Sequence, residues 1–439
     1  MNSAQDFLLA AKRCEIHALE QLSLTCELVK DVSGLIHVLQ RERGASNVYL
    51  GSRGSRFQHL LSQHIAGSKA AEVEVRRRFV KLDQNNGRVV GGVRLFSRIA
   101  YVLHGLESLP DLRVRIQELE LSSLDATSAF SRLIGGLLAI VFEAADTSAD
   151  PEITKILVAL FNFMQGKEFA GQERAVGATG FAAGYFSLLE QQKILHVIDA
   201  QERSFEIFTQ FATPETLAAW QKTLSSTAVL ELKRLRQLVQ KASPEHPVPS
   251  ELSELWFELT TRRIDEMQWI EQQLAATLVA ISDQKINEAQ SDLRSHKDIL
   301  DALVAMDAQT LSTVTLLFNA GSVMPESSAQ ARESVSLAGM SPAFSRSVFE
   351  LVQAQAQRLQ AVSDQLCAAK QALQERKQIE RAKGLLMLHR SLSEEQAYKM
   401  LRQAAMEQNR RLIDVAETVV SMVDLLQDNR GKSPTSLRV

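Results

Sequence analysis

Two short segments of this chain set a carboxylate and a guanidinium side by side among small residues. RERGASNVYLGSRG begins at Arg41 and GQERAVGATGFAAGYF begins at Gly171, each with a Glu-Arg pair, Glu42-Arg43 and Glu173-Arg174. An arginine is permanently charged and offers a planar fork of donors. Small neighbours let backbones close around that fork and leave space for only a few atoms. A flat oxyanion with one charge and three acceptor oxygens suits such a place without a metal. The competing reading is structural: a buried Arg beside a Glu is an ion pair that fastens two helices. A second concentration of charge lies near the C-terminus. Between Arg376 and Arg411 nine Lys/Arg stand against four carboxylates, a local +5 in a chain of net charge -3, so the rest stands at about -8. Positive charge gathered on one small segment is the footprint of a polyanion partner.

No catalytic arrangement emerges. There is no G-x-x-x-x-G-K-[ST] loop, no G-x-G-x-x-G after a strand, no H-E-x-x-H and no C-x-x-C. His37, His59, His64 and His104 are scattered, and His59 and His64 are off the one-face helical spacing that a metal needs, so each reads as a core or surface histidine. The protein is therefore expected not to be an enzyme, and to use no cofactor and no metal. Cys14, Cys26 and Cys367 are few and far apart, which fits a reducing cytoplasm. The N-terminus has no signal-peptide stretch, and the most apolar run, Leu133 to Phe142, is too short to span a bilayer. A cytoplasmic protein with no membrane partner is expected.

The elements that must position these groups read as helices. At 439 residues the chain is long enough for two or three domains. All nine prolines fall at the edges of apolar-periodic segments, where no helix-interior N–H is lost. Between them apolar residues recur every three or four positions, as in Leu217, Leu224, Val229, Leu232, Leu235 and Leu238. The expected fold class is all-α: two stacked four-helix bundles joined by a long or coiled-coil helix to a small three-helix bundle. Residues 1–318 read as a sensor and residues 319–345, rich in Ser, Ala and Gly, as a linker. A heptad seam from Val348 to Leu373 makes 346–377 a coiled-coil helix, packed either on its own receptor or on a second copy, which would give a homodimer. Residues 378–439 form the basic tail, whose second helix starts at the capping box Ser393 to Gln396. Its buried faces are expected to be Ala397, Leu401, Ala404 and Ala405, then Ile413, Ala416, Val419, Val420 and Val423.

Both ends resemble known families. Ile379, Ala382, Lys383, Gly384, Leu386 and Met387, then Ser393, Ala397, Leu401, Arg402, Ala405 and Met406, and finally Leu412, Asp414, Val415 and Ala416 match the pattern of ANTAR domains over about fifty residues. The resemblance implies a three-helix RNA-binding module that grips paired hairpin loops in leader transcripts and prevents formation of an intrinsic terminator. Lys383, Lys399, Arg402, Arg410 and Arg411 are the expected RNA contacts, through phosphate pairing and guanidinium stacking. Nothing reads as a helix-turn-helix, so DNA is not an expected partner. The Glu42, Arg43, Gly44, Ser46, Tyr49, Leu50 and Gly54 stretch, the Gly171, Glu173, Arg174, Ala175 and Phe181 stretch, and TTRRIDEMQWIE from Thr260 to Glu271 resemble the NIT family of nitrate- and nitrite-sensing domains. That resemblance implies an all-helical receptor with paired arginines. Arg43 and Arg263 are the first candidates for the pair and Arg174 the third, with Ser46 and Thr179 as hydroxyl donors. NIT followed by ANTAR is the arrangement of nitrate-responsive transcription antiterminators, so nitrate or nitrite is the expected effector and a leader mRNA hairpin the expected target. The alternative is a helical signalling scaffold that senses another small anion and docks protein partners.

Overall fold

A computed structural model describes residues 4–84, 92–307, 314–316 and 335–337, and most residues from 361 to 430. The chain is built almost wholly of helices, as the proline placement and periodicity require. It forms two compact units, Met1–Thr25 with Val279–Gln365 and Cys26–Leu278 with Leu366–Val439. In the first unit the leading turns of α1 (Ala4–Gly51) and the trailing turns of α10 (Leu252–Asp307) are held by Lys12, which pairs with Glu15 at 3.0 Å and approaches Asp292 to 3.9 Å. This unit also contains two three-residue strands, β1 (Val314–Leu316) and β2 (Val335–Leu337), paired antiparallel. The second of them falls in the stretch expected to be a linker. The heptad positions from Val348 to Val362, and Ser393, lie outside the described residues, while Leu373 is buried.

The second unit holds every candidate site residue. Its helices are α1 from Cys26 onward, α2 (Gln58–Gln84), α3 (Gly92–Glu107), α4 (Leu109–Gln117), α5 (Ser123–Thr147), α6 (Pro151–Ala183), α7 (Leu188–Phe211), α8 (Pro214–Leu224), α9 (Thr227–Lys241) and α10 up to Leu278. Their ends follow local chemistry. Asp150 caps α6 by accepting from the Glu152 and Ile153 amides, with Pro151 in the first turn, and Gly184 (φ 78°) ends it in the left-handed conformation. Ser187 and Glu190 form a capping box on α7, and Thr213 with Pro214 opens α8.

Helix α6 is the spine of this unit. It packs on α5 and α7, and its glycines are notches for aromatic rings. A Cβ at Gly177 would stand 2.2 Å from the Trp256 ring, and one at Gly180 would stand 2.0 Å from Phe186. Phe181, Trp256, Leu232, Leu235 and Val239 then close the core of α6, α7, α9 and α10. Helix α5 is long and apolar enough by composition to cross a membrane, but its buried face packs on α3 and α6.

The tail forms a separate small core. A helix over residues 373–388 (α11), then α12 (Glu394–Glu407) and α13 (Leu412–Arg430), enclose Ala382, Leu401, Ala405, Val415, Ala416 and Val420. Ala397 and Ile413 are buried as the spacing predicts, and small residues let the three helices approach closely.

Candidate functional site: paired arginines at a helix crossing

Helices α1 and α6 cross where the two Glu-Arg motifs lie. Gln40 and Arg43 reach Glu168, Arg43 lies over Gly171, and Arg174 lies over Gly44, so the helices run in the same sense. The two halves are built alike. Glu42, fully buried, accepts from Arg113 Nε (2.8 Å) and Nη2 (2.9 Å) and from the Ser68 hydroxyl. Glu173, also fully buried, accepts from Arg236 Nε (2.6 Å) and Nη2 (2.7 Å) and from Gln201 Nε2 (2.7 Å). Each motif glutamate thus ties its helix to a neighbour through a distant arginine, not through the arginine beside it in sequence. Burial pushes the Glu173 carboxyl up, but Arg236, Arg263 and Gln201 outweigh it and hold it below its ordinary value.

The motif arginines turn toward the opposite helix. A Cβ at Gly171 would stand 2.6 Å from Arg43 Nη2, and one at Gly44 would stand 2.7 Å from Arg174 Nη2. A side chain at either glycine would push the guanidinium off its present position. Arg43 is paired with a carboxylate: Nη1 donates to Glu168 Oε1 (2.5 Å) and to Ser131 Oγ (2.7 Å), and Nη2 to Glu168 Oε2 (3.0 Å). Glu168 also accepts from Gln40 and Gln172.

Arg174 differs. Its Nη1 donates to the neutral Thr261 Oγ1 (3.0 Å), and the guanidinium lies 5.3 Å from the Phe257 ring centre. It makes no ion pair among the described residues. Burial, and then the charge of Arg43, lower its pKa to about 10. A surface cleft of about 660 Å³, lined by Phe257, Glu258, Thr261, Arg262, Asp265 and Glu266, adjoins these two partners.

The other expected ligands fall less neatly. Arg263 is buried and donates to Gln201 Oε1 (3.0 Å), standing 3.6 Å from Glu173. Burial, then Arg236, lower its pKa to about 10. Arg174 feels the charge of Arg43, whereas Arg263 feels that of Arg236, so the fold brings Arg43 together with Arg174 rather than with Arg263. Ser46 is buried one turn beyond Arg43, and its hydroxyl has no partner. Thr179 is exposed and bonded back to Ala175 O (3.1 Å), away from the crossing. His37, read from sequence as an ordinary core or surface histidine, lies within electrostatic reach of Lys167, Arg41, His64 and Arg174. Its Nδ1 is buried without a partner. Burial and those cations lower its pKa to about 3, so it is neutral. A lone histidine carries no spacing signal, which is why only the fold reveals it.

In the tail, the expected RNA contacts divide. Lys383 is buried and bonded to Glu380 (2.9 Å) and Glu394 (2.7 Å), whose charges outweigh burial and raise its pKa. It holds α11 to α12 instead of facing outward. Arg402 bonds to Asp199 of α7. Lys399 and Arg410 are exposed, and Arg411 is exposed with Asp414 as its partner at 3.1 Å. Tyr398, unremarkable in sequence, is buried under Arg203, whose guanidinium lies 4.3 Å from the ring centre, and beside the His196 ring. Between α7 and the tail a cleft of about 730 Å³ sets Asp199, Glu202 and Glu206 against Arg402, Arg410 and Arg411. On α6, Asn162 Oδ1 accepts from Arg376 (3.0 Å), whose guanidinium also lies 4.9 Å from the Phe161 ring centre.

Such a molecule, an all-helical receptor with buried guanidinia and a small basic helical effector docked on it, is a ligand-responsive regulator. Comparison with known proteins makes the class specific. The "Nitrate and nitrite sensing" NIT family model matches residues 34–279 and the ANTAR domain model matches residues 368–420. The chain is 32% identical over 417 residues to a "Nitrate regulatory protein" of Klebsiella oxytoca, covering 95% of this chain and 94% of that one. It also matches the solved "Structure of the NasR transcription antiterminator" at a TM-score of 0.56 and 30% identity, over 96% of this chain and 99% of the other. The chain belongs to the NasR-type family of nitrate-responsive transcription antiterminators. The matched families are sensory and regulatory rather than enzymatic.

Proposed function

We propose that nitrate or nitrite binds at the crossing of α1 and α6 with Arg174 as its principal partner, and that binding frees the tail to hold a leader RNA hairpin. The carrying observation is Arg174 itself. It is a buried guanidinium that donates to a neutral hydroxyl and pairs with no carboxylate among the described residues, a costly arrangement that an incoming monovalent anion relieves. Arg43 and Ser46 form the adjacent wall, and Arg263 supports it indirectly by charging Glu173.

An anion shifts a conformational equilibrium only by binding one arrangement better than the other. The same α6 that carries Glu168 and Arg174 carries Phe161 and Asn162, which hold Arg376 at the base of the tail. Acidic α7 meanwhile covers Tyr398 and Arg402. Motion of α6 is thereby coupled to release of the basic face, and α7 stands in for the polyanion until then. Lys399, Arg402, Arg410 and Arg411 form the phosphate-facing set. The protein acts in the cytoplasm, as a homodimer.

The test is an electrophoretic shift of the full chain with a paired-hairpin leader RNA. Nitrate is expected to tighten binding at least tenfold. Equal binding with and without nitrate and nitrite refutes the coupling, and calorimetry in which sulfate outcompetes both refutes the ligand.

A further inference from the structure

The basic tail has one large aromatic side chain. After Phe349 the sequence contains a single Phe, Trp or Tyr, which is Tyr398 on α12. In a domain this small such a ring is the natural core filler. The apolar cluster that closes α11, α12 and α13 is nevertheless built from Ala382, Leu401, Ala405, Val415, Ala416 and Val420. Tyr398 instead lines the cleft between α12 and α7, and its ring is covered from α7. The Arg203 guanidinium lies 4.3 Å from the ring centre, and the His196 ring lies 5.6 Å away at 64°.

The same side of α12 carries more than the ring. Arg402 and Met406 follow Tyr398 at successive helical turns and line the same cleft, and Arg410 and Arg411 join them from the connection into α13. One face of the tail thus gathers an aromatic ring, an exposed methionine and three guanidinia. What α7 sets against this face has the chemistry of a nucleic acid in two respects. Asp199, bonded to Arg402, and Glu202 and Glu206 bring negative charge to the guanidinia. Arg203 brings a planar group to the ring. The carboxylates answer the arginines as phosphates would, and the guanidinium covers the ring as a nucleobase would.

We propose that Tyr398 is the base-stacking residue of the RNA-binding face. With α7 withdrawn, an unpaired base of the leader hairpin loop lies on the ring that Arg203 now covers, while Arg402, Arg410 and Arg411 hold the flanking phosphates. The inference rests on the reading of the tail as an RNA-binding effector, and it adds the residue through which the tail tells a loop from a duplex. Guanidinia on phosphates hold RNA of any sequence, whereas a base reaches the ring only where it is free of a pairing partner. One ring serves one base, so one loop position should matter most.

The experiment is an electrophoretic shift of the full chain with sodium nitrate, for the wild type, Tyr398→Phe and Tyr398→Leu. Each is titrated against the paired-hairpin leader RNA and against the same RNA with one abasic nucleotide at each loop position in turn. Circular dichroism checks that each variant folds. The wild type and Tyr398→Phe are expected to bind alike, and to lose affinity about five- to a hundredfold at one abasic position, the worth of a stacked base. Tyr398→Leu is expected to bind the intact RNA that much more weakly and to be indifferent to the same abasic position. If the ring only docks the tail on α7, Tyr398→Leu binds the intact RNA as tightly as the wild type with nitrate and more tightly without it, and the proposal is overturned. Should Tyr398→Leu not fold, photochemical cross-linking of the wild type to RNA with 5-iodouracil at each loop position decides. A cross-link at Tyr398 supports stacking, and cross-links only elsewhere, or none, overturn it. A wild type that shifts no hairpin with nitrate overturns the RNA-binding reading itself, whereas tight binding that ignores Tyr398 leaves that reading standing.

Discussion

The two halves of the receptor crossing share a backbone plan and differ in the electrostatic state of one arginine. On the Arg43 side the guanidinium has a carboxylate, a hydroxyl and a close glycine. On the Arg174 side it has the hydroxyl and the glycine, and no ion pair among the described residues. Both arginines are buried, so the environments differ in charge and not in exposure. One half thus holds a finished ion pair, and the other is the half proposed to respond to an ion.

Breaking the closed half should have the largest effect. Arg43→Ala strands the buried Glu168 carboxylate, and Glu168→Gln strands the Arg43 guanidinium. Each is expected to destabilise the fold by about 3–5 kcal/mol in denaturant titration. Glu168→Gln also makes the halves alike, so calorimetry is expected to detect a second nitrate equivalent. Arg174→Ala sharpens the contrast. Removing a charge that lacks a carboxylate should alter stability by no more than about 1 kcal/mol without ligand, while the nitrate-induced rise in melting temperature disappears. A loss as large as that of Arg43→Ala would mean that Arg174 has an internal partner after all.

Acidity probes the same asymmetry more gently. His37 has a folded pKa of about 3 against an ordinary 6.5. The unfolded chain therefore takes up that proton first. The contribution is fully present above pH 6.5 and is lost as pH falls toward 3. His64, lowered mainly by burial, acts in the same direction. The melting temperature of the free protein is expected to fall on acidification from pH 7 to 5, and to fall less in His37→Gln. The smallest effect on stability concerns the tail. Asp199→Asn removes a partly exposed ion pair and should cost less than about 1 kcal/mol. It is nevertheless expected to strengthen RNA binding in the absence of nitrate a few-fold, and unchanged binding would show that Arg402 is not held back by α7.

Much of the design is legible without coordinates. Proline positions, three- and four-residue periodicity and the alanine faces of the tail identify helices and their buried sides, because burial of an apolar stripe is a local rule. The duplicated Glu-Arg motif marks the crossing for the same reason: small residues beside a guanidinium have few other uses. Local rules say nothing about partners across the fold. Arg43 and Arg263 look like the stronger pair in sequence, yet Glu168 claims the first and Glu173 the second. Lys383 matches an RNA-binding pattern and is consumed by Glu380 and Glu394, while Thr179 turns back on its own helix. The sequence by itself determined an all-helical receptor, a cationic effector and the arginines proposed for an anion site. Only the tertiary structure decided which arginine lacks a bonded carboxylate, because charge balance in a buried site depends on side chains that approach from helices more than a hundred residues apart.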